Sequence, residues 1–191
     1  MSFSSFELHP SLLRGVQSMG FAAPTPIQQQ SVPPAIAGRD LLACAMTGSG
    51  KTAAFLLPIV QRLIDRPRGT TRALILTPTR ELAAQIEEHL RALAAFTKVT
   101  GAAVFGGVGM GPQEAAFRRG VDILVATPGR LLDHLRMPYA RLDGIEMLVL
   151  DEADRMLDMG FLPDIKRVLK HLPANARRCS SRPPCRGRSR R

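Results

Sequence analysis

The sequence predicts an α/β domain, a mostly parallel sheet with helices on both faces. Three observations predict it. Short apolar runs such as "RALILTP" (72–78) and "VDILVATP" (121–128) alternate with stretches of helical period such as "RELAAQIEEHLRALAAF". The short runs are apolar throughout, as in strands buried on both faces. Glycine and polar residues gather just after each run, at the edge where open parallel sheets bind ligands.

The elements follow in order. "PSLLRGVQSMGF" and "TPIQQQSVPPAIAG" read as helices stopped by Gly20 and Gly38. "DLLACA" (40–45) is a strand, a glycine-rich turn follows, and "KTAAFLLPIVQRLI" is a helix. Residues 72–78 form a strand, and "RELAAQIEEHLRALAAF" has a helical apolar period. "KVTGAAVFGG" is a weaker strand ending at Gly106–Gly107, and "GPQEAAFRRG" a short helix. A strand over 121–128, the helix "GRLLDHLR", the strand "IEMLVLDEAD" (145–154) and the helix "PDIKRVLKHL" complete the alternation.

The 191 residues suffice for one sizeable core. The organisation expected is a helical N-terminal segment (1–38), the α/β domain (39–175) and an arginine-rich tail (176–191). The net charge of +10 suggests an anionic partner. Seven arginines after residue 175 supply most of it, and without them the body carries only +3. Cys44, Cys179 and Cys185 lack the spacing of a zinc site and read as free thiols. The four histidines, at 9, 89, 134 and 171, show no metal spacing and read as structural. No signal peptide or membrane-spanning run is visible, so a cytoplasmic protein without a membrane partner is expected.

"AMTGSGKT", Ala45 to Thr52, falls between a strand and a helix. Glycines let backbone N–H groups wrap a phosphate, and the helix N-terminus adds a favourable dipole. Lys51 is placed to reach the β- and γ-phosphates and Thr52 to ligate Mg²⁺. Ala45 stands where the generic pattern has its first glycine. An apolar strand then runs into Asp151 and Glu152. An acid at a strand tip beside a phosphate loop suits a Mg²⁺ ligand held through water, and Glu152 is a candidate for orienting an attacking water.

"DEAD" (151–154) together with "AMTGSGKT" resembles the DEAD-box family of ATP-dependent RNA helicases. "GFAAPTPIQ" (20–28) is similar to that family's Q motif, with Phe3 as its upstream aromatic. "PTRELA" (78–83) is similar to motif Ia, Gly106–Gly107 to the GG element and "TPGR" (127–130) to motif Ib. The resemblance runs from Phe3 to about Asn175 and covers the first of the family's two RecA-like P-loop NTPase domains.

The resemblance implies an ATP site at Phe21, Gln28, Ala45, Met46, Thr47, Gly48, Ser49, Gly50, Lys51 and Thr52, with Lys51, Asp151 and Glu152 catalytic and Mg²⁺ at Thr52 and Asp151. Gln28 would read the adenine edge, because an amide donates and accepts at once, and Phe21 would stack on the base. From the residues alone, a surface-helix Gln28 and a core Phe21 stay open. The family implies that Pro78, Thr79, Arg80, Gly106, Gly107, Thr127, Pro128, Gly129 and Arg130 hold the backbone of RNA, largely independently of sequence. Without the family, Arg130 reads as a solvated charge at a helix start.

The leading expectation is the N-terminal ATP-binding domain of a monomeric RNA helicase. The resemblance leads one to expect motif III, Ser-Ala-Thr, after Leu172 and then a C-terminal RecA-like domain, and these 191 residues are expected to lack both. A catalytically incompetent ATP- and RNA-binding module is the alternative, and a different P-loop NTPase is a third reading. The tail "NARRCSSRPPCRGRSRR" stands where the family resembles "NRQTLLFSATMP". One permissible codon set for that segment, less a single C, translates into residues 175–186 of this chain. The expectation is an out-of-frame, disordered tail and a fold without its last strand region.

Overall fold

The computed structural model of the chain describes residues 2–46, 48–173 and the backbone of 177–182. A 3₁₀ turn (Phe3–Phe6), α1 (Pro10–Ser18) and α2 (Pro26–Ile36) precede the sheet. Then come β1 (Leu41–Cys44), α3 (Lys51–Leu63), β2 (Ala73–Leu76), α4 (Arg80–Leu93), β3 (Gly101–Val104), α5 (Met110–Arg119), β4 (Ile123–Ala126), α6 (Pro128–Leu135) and β5 (Met147–Leu150). Helices α7 (Ala153–Asp158) and α8 (Leu162–Leu169) lead to β6 (Arg177–Arg182). The sheet order is β1-β6-β5-β2-β4-β3, and every described pair is parallel.

The expected α/β architecture is what forms. Strands β2 (ALIL) and β4 (ILVA) are buried along their whole length, as parallel strands covered on both faces require. One core lies under α1, α3 and α4, around Leu56, Ile75, Ile86 and Val125. The other lies under α5, α6 and α8, around Leu74, Leu124, Leu131 and Val168. Helix α4 binds the sheet by its apolar face and buries Ala83, Ile86, Leu90 and Leu93 at helical spacing, while α1 packs on α3 and α4. Gly20 and Gly38 stop α1 and α2 at positive φ, 73° and 79°.

Two expectations need correction. The strand expected over 145–154 ends at Leu150, because Glu152 adopts the left-handed conformation (φ 50°, ψ 47°) and caps α7. Ala153 and Asp154 are therefore helical. The second correction is larger. The tail was expected to be disordered, leaving the fold without its last strand region, yet residues 177–182 form β6 between β1 and β5; the expected change of reading frame is a separate matter on which strand pairing has no bearing. Val149 faces Cys179, which in turn faces Leu41. The physical reason is that backbone N–H and C=O groups supply a ladder whatever the side chains. Among the described residues, strand β1 reaches the rest of the sheet only through β6. The composition RRCSSR is unlike that of β2, β4 and β5, and that contrast misled the sequence reading. Residues 183–191, including Cys185, lie outside the described residues, as do 174–176.

Candidate nucleotide and nucleic-acid sites

All sites lie at the carboxyl ends of the strands. After β1 the chain turns through Gly48 (φ 79°) and Gly50 (φ 91°), conformations that L side chains rarely adopt. Gly50 is the N-cap of α3 and has no side chain to cap it, so first-turn N–H groups of a 13-residue helix are left for another acceptor. The Lys51 ammonium donates to the Ala45 carbonyl at 2.5 Å, joining the two ends of the loop. The Ser49 hydroxyl is buried without a hydrogen-bond partner among the described residues. Thr47 lies outside the described residues, and Met46 is exposed.

Helix α2 braces this loop. The Gln28 side chain, 3% exposed, accepts from the Thr25 N–H at 3.0 Å and donates to the Gly50 carbonyl at 3.1 Å. A Cβ on Gly50 would lie 2.5 Å from Gln28 Nε2 and 2.9 Å from Thr25 Oγ1. Gln28 is thus no surface-helix residue. Its amide keeps one further N–H and one further lone pair for a ligand. Phe21 stacks on Phe3, with centroids 6.1 Å apart and planes at 23°, and its ring is half-buried.

A cleft of about 760 Å³ brings these parts together. It is lined by Phe21, Gln28, Gly48, Gly50, Lys51, Thr52, Asp151 and Glu152. Its size falls within the range of small-molecule sites, roughly 300–1,000 Å³. Asp151 is almost fully buried at the tip of β5, and Glu152 pairs with Arg155 at 3.0 Å. Glu152 is one of two non-glycine residues at positive φ among the described residues. Strain of this kind concentrates at functional sites. Sequence reasoning missed Glu81, Gln85 and His89, which line the cleft from α4. The signal was present, since their i, i+4, i+8 spacing puts them on one helix face.

The donor set fits Mg²⁺. No group of three or more His, Cys, Asp or Glu side chains suited to hold a metal occurs among the described residues. One hydroxyl, Thr52, and one carboxylate, Asp151, share the cleft with the phosphate loop. Mg²⁺ characteristically takes one or two protein ligands and completes its shell with phosphate oxygens and water.

The other predicted residues gather past the ends of β2, β3 and β4. Thr79 caps α4, its hydroxyl accepting from the Leu82 N–H at 3.2 Å. Arg80, exposed, reaches the GG element: its guanidinium lies 6.0 Å from the Phe105 ring, and a Cβ on Gly107 would meet Arg80 Nη1 at 2.0 Å. Gly107 has φ 78°. Gly106 and Gly129 have open space where a Cβ would be. Thr127 is the N-cap of α6 and Pro128 its first residue, both buried. Arg130 is no solvated charge. Its Nη1 donates to the Val108 carbonyl at 2.9 Å, and Asp133 lies 3.9 Å from its Nε. The structure thus brings Arg80, Gly106–Gly107 and Arg130 into one neighbourhood. Pro78 is buried behind them.

The profile of the DEAD/DEAH box helicase family matches residues 25–181. The chain is 49% identical over 173 residues to the human protein named probable ATP-dependent RNA helicase DDX27, covering 89% of this chain and 23% of that one. It is 50% identical over 170 residues to ATP-dependent RNA helicase SrmB of Escherichia coli, covering 87% and 38%. To ATP-dependent RNA helicase drs1 of Aspergillus clavatus it is 47% identical over 175 residues, covering 90% and 21%. The chain spans between about a fifth and two fifths of the length of these relatives. With the matching profile running from Thr25, at the start of α2, to Ser181 in β6, the chain belongs to the DEAD/DEAH box helicase family.

Proposed function

We propose that the chain is the ATP-binding domain of an ATP-dependent RNA helicase and that the 760 Å³ cleft takes ATP-Mg²⁺. The observation that carries this is the convergence of Phe21, Gln28, the phosphate loop and Asp151–Glu152 on one cleft. Phe21 offers a face for the base, and the free valences of the Gln28 amide match the donor and acceptor of an adenine edge. Lys51 exchanges the Ala45 carbonyl for phosphate oxygens. Thr52 and Asp151 would hold Mg²⁺, which supplies charge neutralisation to the transferring phosphoryl group. Glu152 orients the attacking water and takes up its proton. Arg80, Arg130 and the backbone at Gly106, Gly107 and Gly129 bind sugar and phosphate of a single RNA strand, with Thr79 and Thr127 as hydroxyl donors.

The alternative is an ATP- and RNA-binding module without useful turnover. One observation favours it for these 191 residues alone. The lysines and arginines lining the cleft, among the described residues, are Lys51 and Arg155, and Arg155 is paired with Glu152. Arginines aimed at the transferring phosphoryl contribute several orders of magnitude in rate. Calorimetric titration with ATP-Mg²⁺ tests the binding reading, which expects one saturable site lost in Lys51→Ala. Equal affinity of both proteins for ATP would sink it. Steady-state ATP hydrolysis with saturating RNA separates the two readings, because turnover abolished by Glu152→Gln would exclude the module.

A further inference from the structure

The loop after β3, residues 105–109, is tied to the domain by a buried chain of polar groups that the family motifs do not include. On α5 the buried residues are Gln113, Ala116 and Phe117, so an amide occupies a position on the apolar face. On α6 they are Pro128, Leu131 and His134, so an imidazole does the same. His134 is fully buried and Gln113 is 6% exposed. Gln113 Nε2 donates to the Phe105 carbonyl at 3.1 Å and to the Gly109 carbonyl at 3.3 Å. Carbonyls only accept, so the nitrogen must face the loop and Oε1 must face His134, 3.3 Å from its Nε2. His134 Nε2 therefore carries the proton, and Nδ1 accepts from the Tyr139 hydroxyl at 3.0 Å. Phe117 packs on the imidazole with centroids 5.0 Å apart. Every polar atom in the chain has one assigned role, and every link is buried or partly buried.

We propose that Gln113 and His134 are positioning residues for nucleic-acid binding: together they fix the Gly106–Gly107 loop from behind, in the geometry that receives the RNA backbone. Gln113 clamps the carbonyls on either side of Gly106–Val108, and Arg130 holds the Val108 carbonyl between them. Helix α6 thus carries Arg130 on its first turn and His134 one turn later, so a single helix supplies a phosphate-binding group and the hold on the loop beside it. A loop preorganised in this way does not lose binding energy to ordering. The inference rests on the reading that the Gly106–Gly107 loop receives RNA.

The test uses a fluorescent single-stranded oligouridine, ATP-Mg²⁺ calorimetry and amide hydrogen exchange on the 191-residue chain. Gln113→Met keeps the length of the side chain and removes both donors. It is expected to weaken RNA binding about ten-fold, the equivalent of about one hydrogen bond. It should also speed exchange at residues 106–109 and leave ATP affinity unchanged. Tyr139→Phe, which removes only the outer hydroxyl, is expected to weaken RNA binding about three-fold and decides the matter if Gln113→Met does not fold. Phe117→Leu loosens the same cluster without touching a hydrogen bond, and it should lower the melting temperature while retaining RNA affinity. Unchanged RNA affinity in Gln113→Met, or in Tyr139→Phe where it stands alone, overturns the proposal. So does a loss that Phe117→Leu reproduces in full. Arg80→Ala tells which reading has failed: if it too leaves RNA affinity intact, the RNA groove fails with the relay; if it weakens binding, the relay alone fails.

Discussion

The proposed nucleotide cleft and the proposed RNA edge lie at the same ends of the same sheet, but they are built differently. On the nucleotide side, a helix outside the sheet, α2, braces the phosphate loop through one amide, and the ligand-facing groups of Lys51, Thr52, Asp151 and Glu152 share an open cleft. On the proposed RNA side, two motif arginines hold a loop that belongs to another motif, Arg130 through the Val108 carbonyl and Arg80 against Gly107, whereas Lys51 closes its own loop through the Ala45 carbonyl. A motif thus names residues that belong together without saying which face the ligand and which hold the others.

Two glycines give the sharpest way to break this comparison. Gly50→Ala places a Cβ 2.5 Å from Gln28 Nε2 and 2.9 Å from Thr25 Oγ1, at φ 91°. It should cost roughly 1–3 kcal/mol of stability and about 100-fold in ATP affinity, while RNA affinity stays within a few-fold. Gly107→Ala meets the far end of a flexible arginine, also at positive φ. It should weaken RNA about ten-fold at constant ATP affinity, since the guanidinium can swing aside at the cost of its position. Calorimetry and anisotropy on both variants check this, and parallel losses of both ligands in either variant would show that the two sites are not separable.

The two arginines sharpen it further. Arg80→Ala removes the one phosphate contact proposed for it and should lower the salt slope of RNA binding by about one. Arg130→Ala removes the phosphate contact proposed for it together with the hold on Val108, so at equal slope change it should lose about three-fold more affinity. Equal losses would mean that the Val108 hydrogen bond does not contribute. The smallest effect is one of pH. Burial, and then the Arg130 charge, lower the His134 pKa below its ordinary value, against Asp133 and Glu114, which raise it. The folded chain therefore holds His134 neutral, and its contribution to stability is full above about pH 6.5. That contribution is lost as pH falls from there through the folded value. The melting temperature should drop more steeply between pH 7.5 and 5 for wild type than for His134→Gln, and parallel curves would contradict the assignment.

The nucleotide side was legible because its motifs are contiguous: Ala45 to Thr52 carry their own turn glycines, and Asp151–Glu152 end a plainly apolar strand. What was not legible depends on contacts between distant residues. Gln113 and His134 lie 21 residues apart, and neither has a neighbour in sequence that marks it as polar core. Gln28 reads as a helix-surface glutamine until Gly50, 22 residues on, is brought to it. Strand β6 failed for the opposite reason. Its side chains argue against a strand, while its place is set by backbone pairing to β1 and β5. A chain ending at Pro173 should accordingly melt lower and bind ATP more weakly, because β1 leads into the phosphate loop and loses its described partner.

The most direct measurement is a calorimetric comparison of ATP and GTP, each with Mg²⁺, on wild type and Gln28→Ala. One site is expected, with ATP bound at least about ten-fold more tightly than GTP and that preference lost in the variant, since guanine presents the acceptor O6 where adenine presents its N6 donor, and the amide oxygen of Gln28 would then face a second acceptor. Equal affinity of wild type for the two nucleotides, or a preference that survives Gln28→Ala, would contradict it.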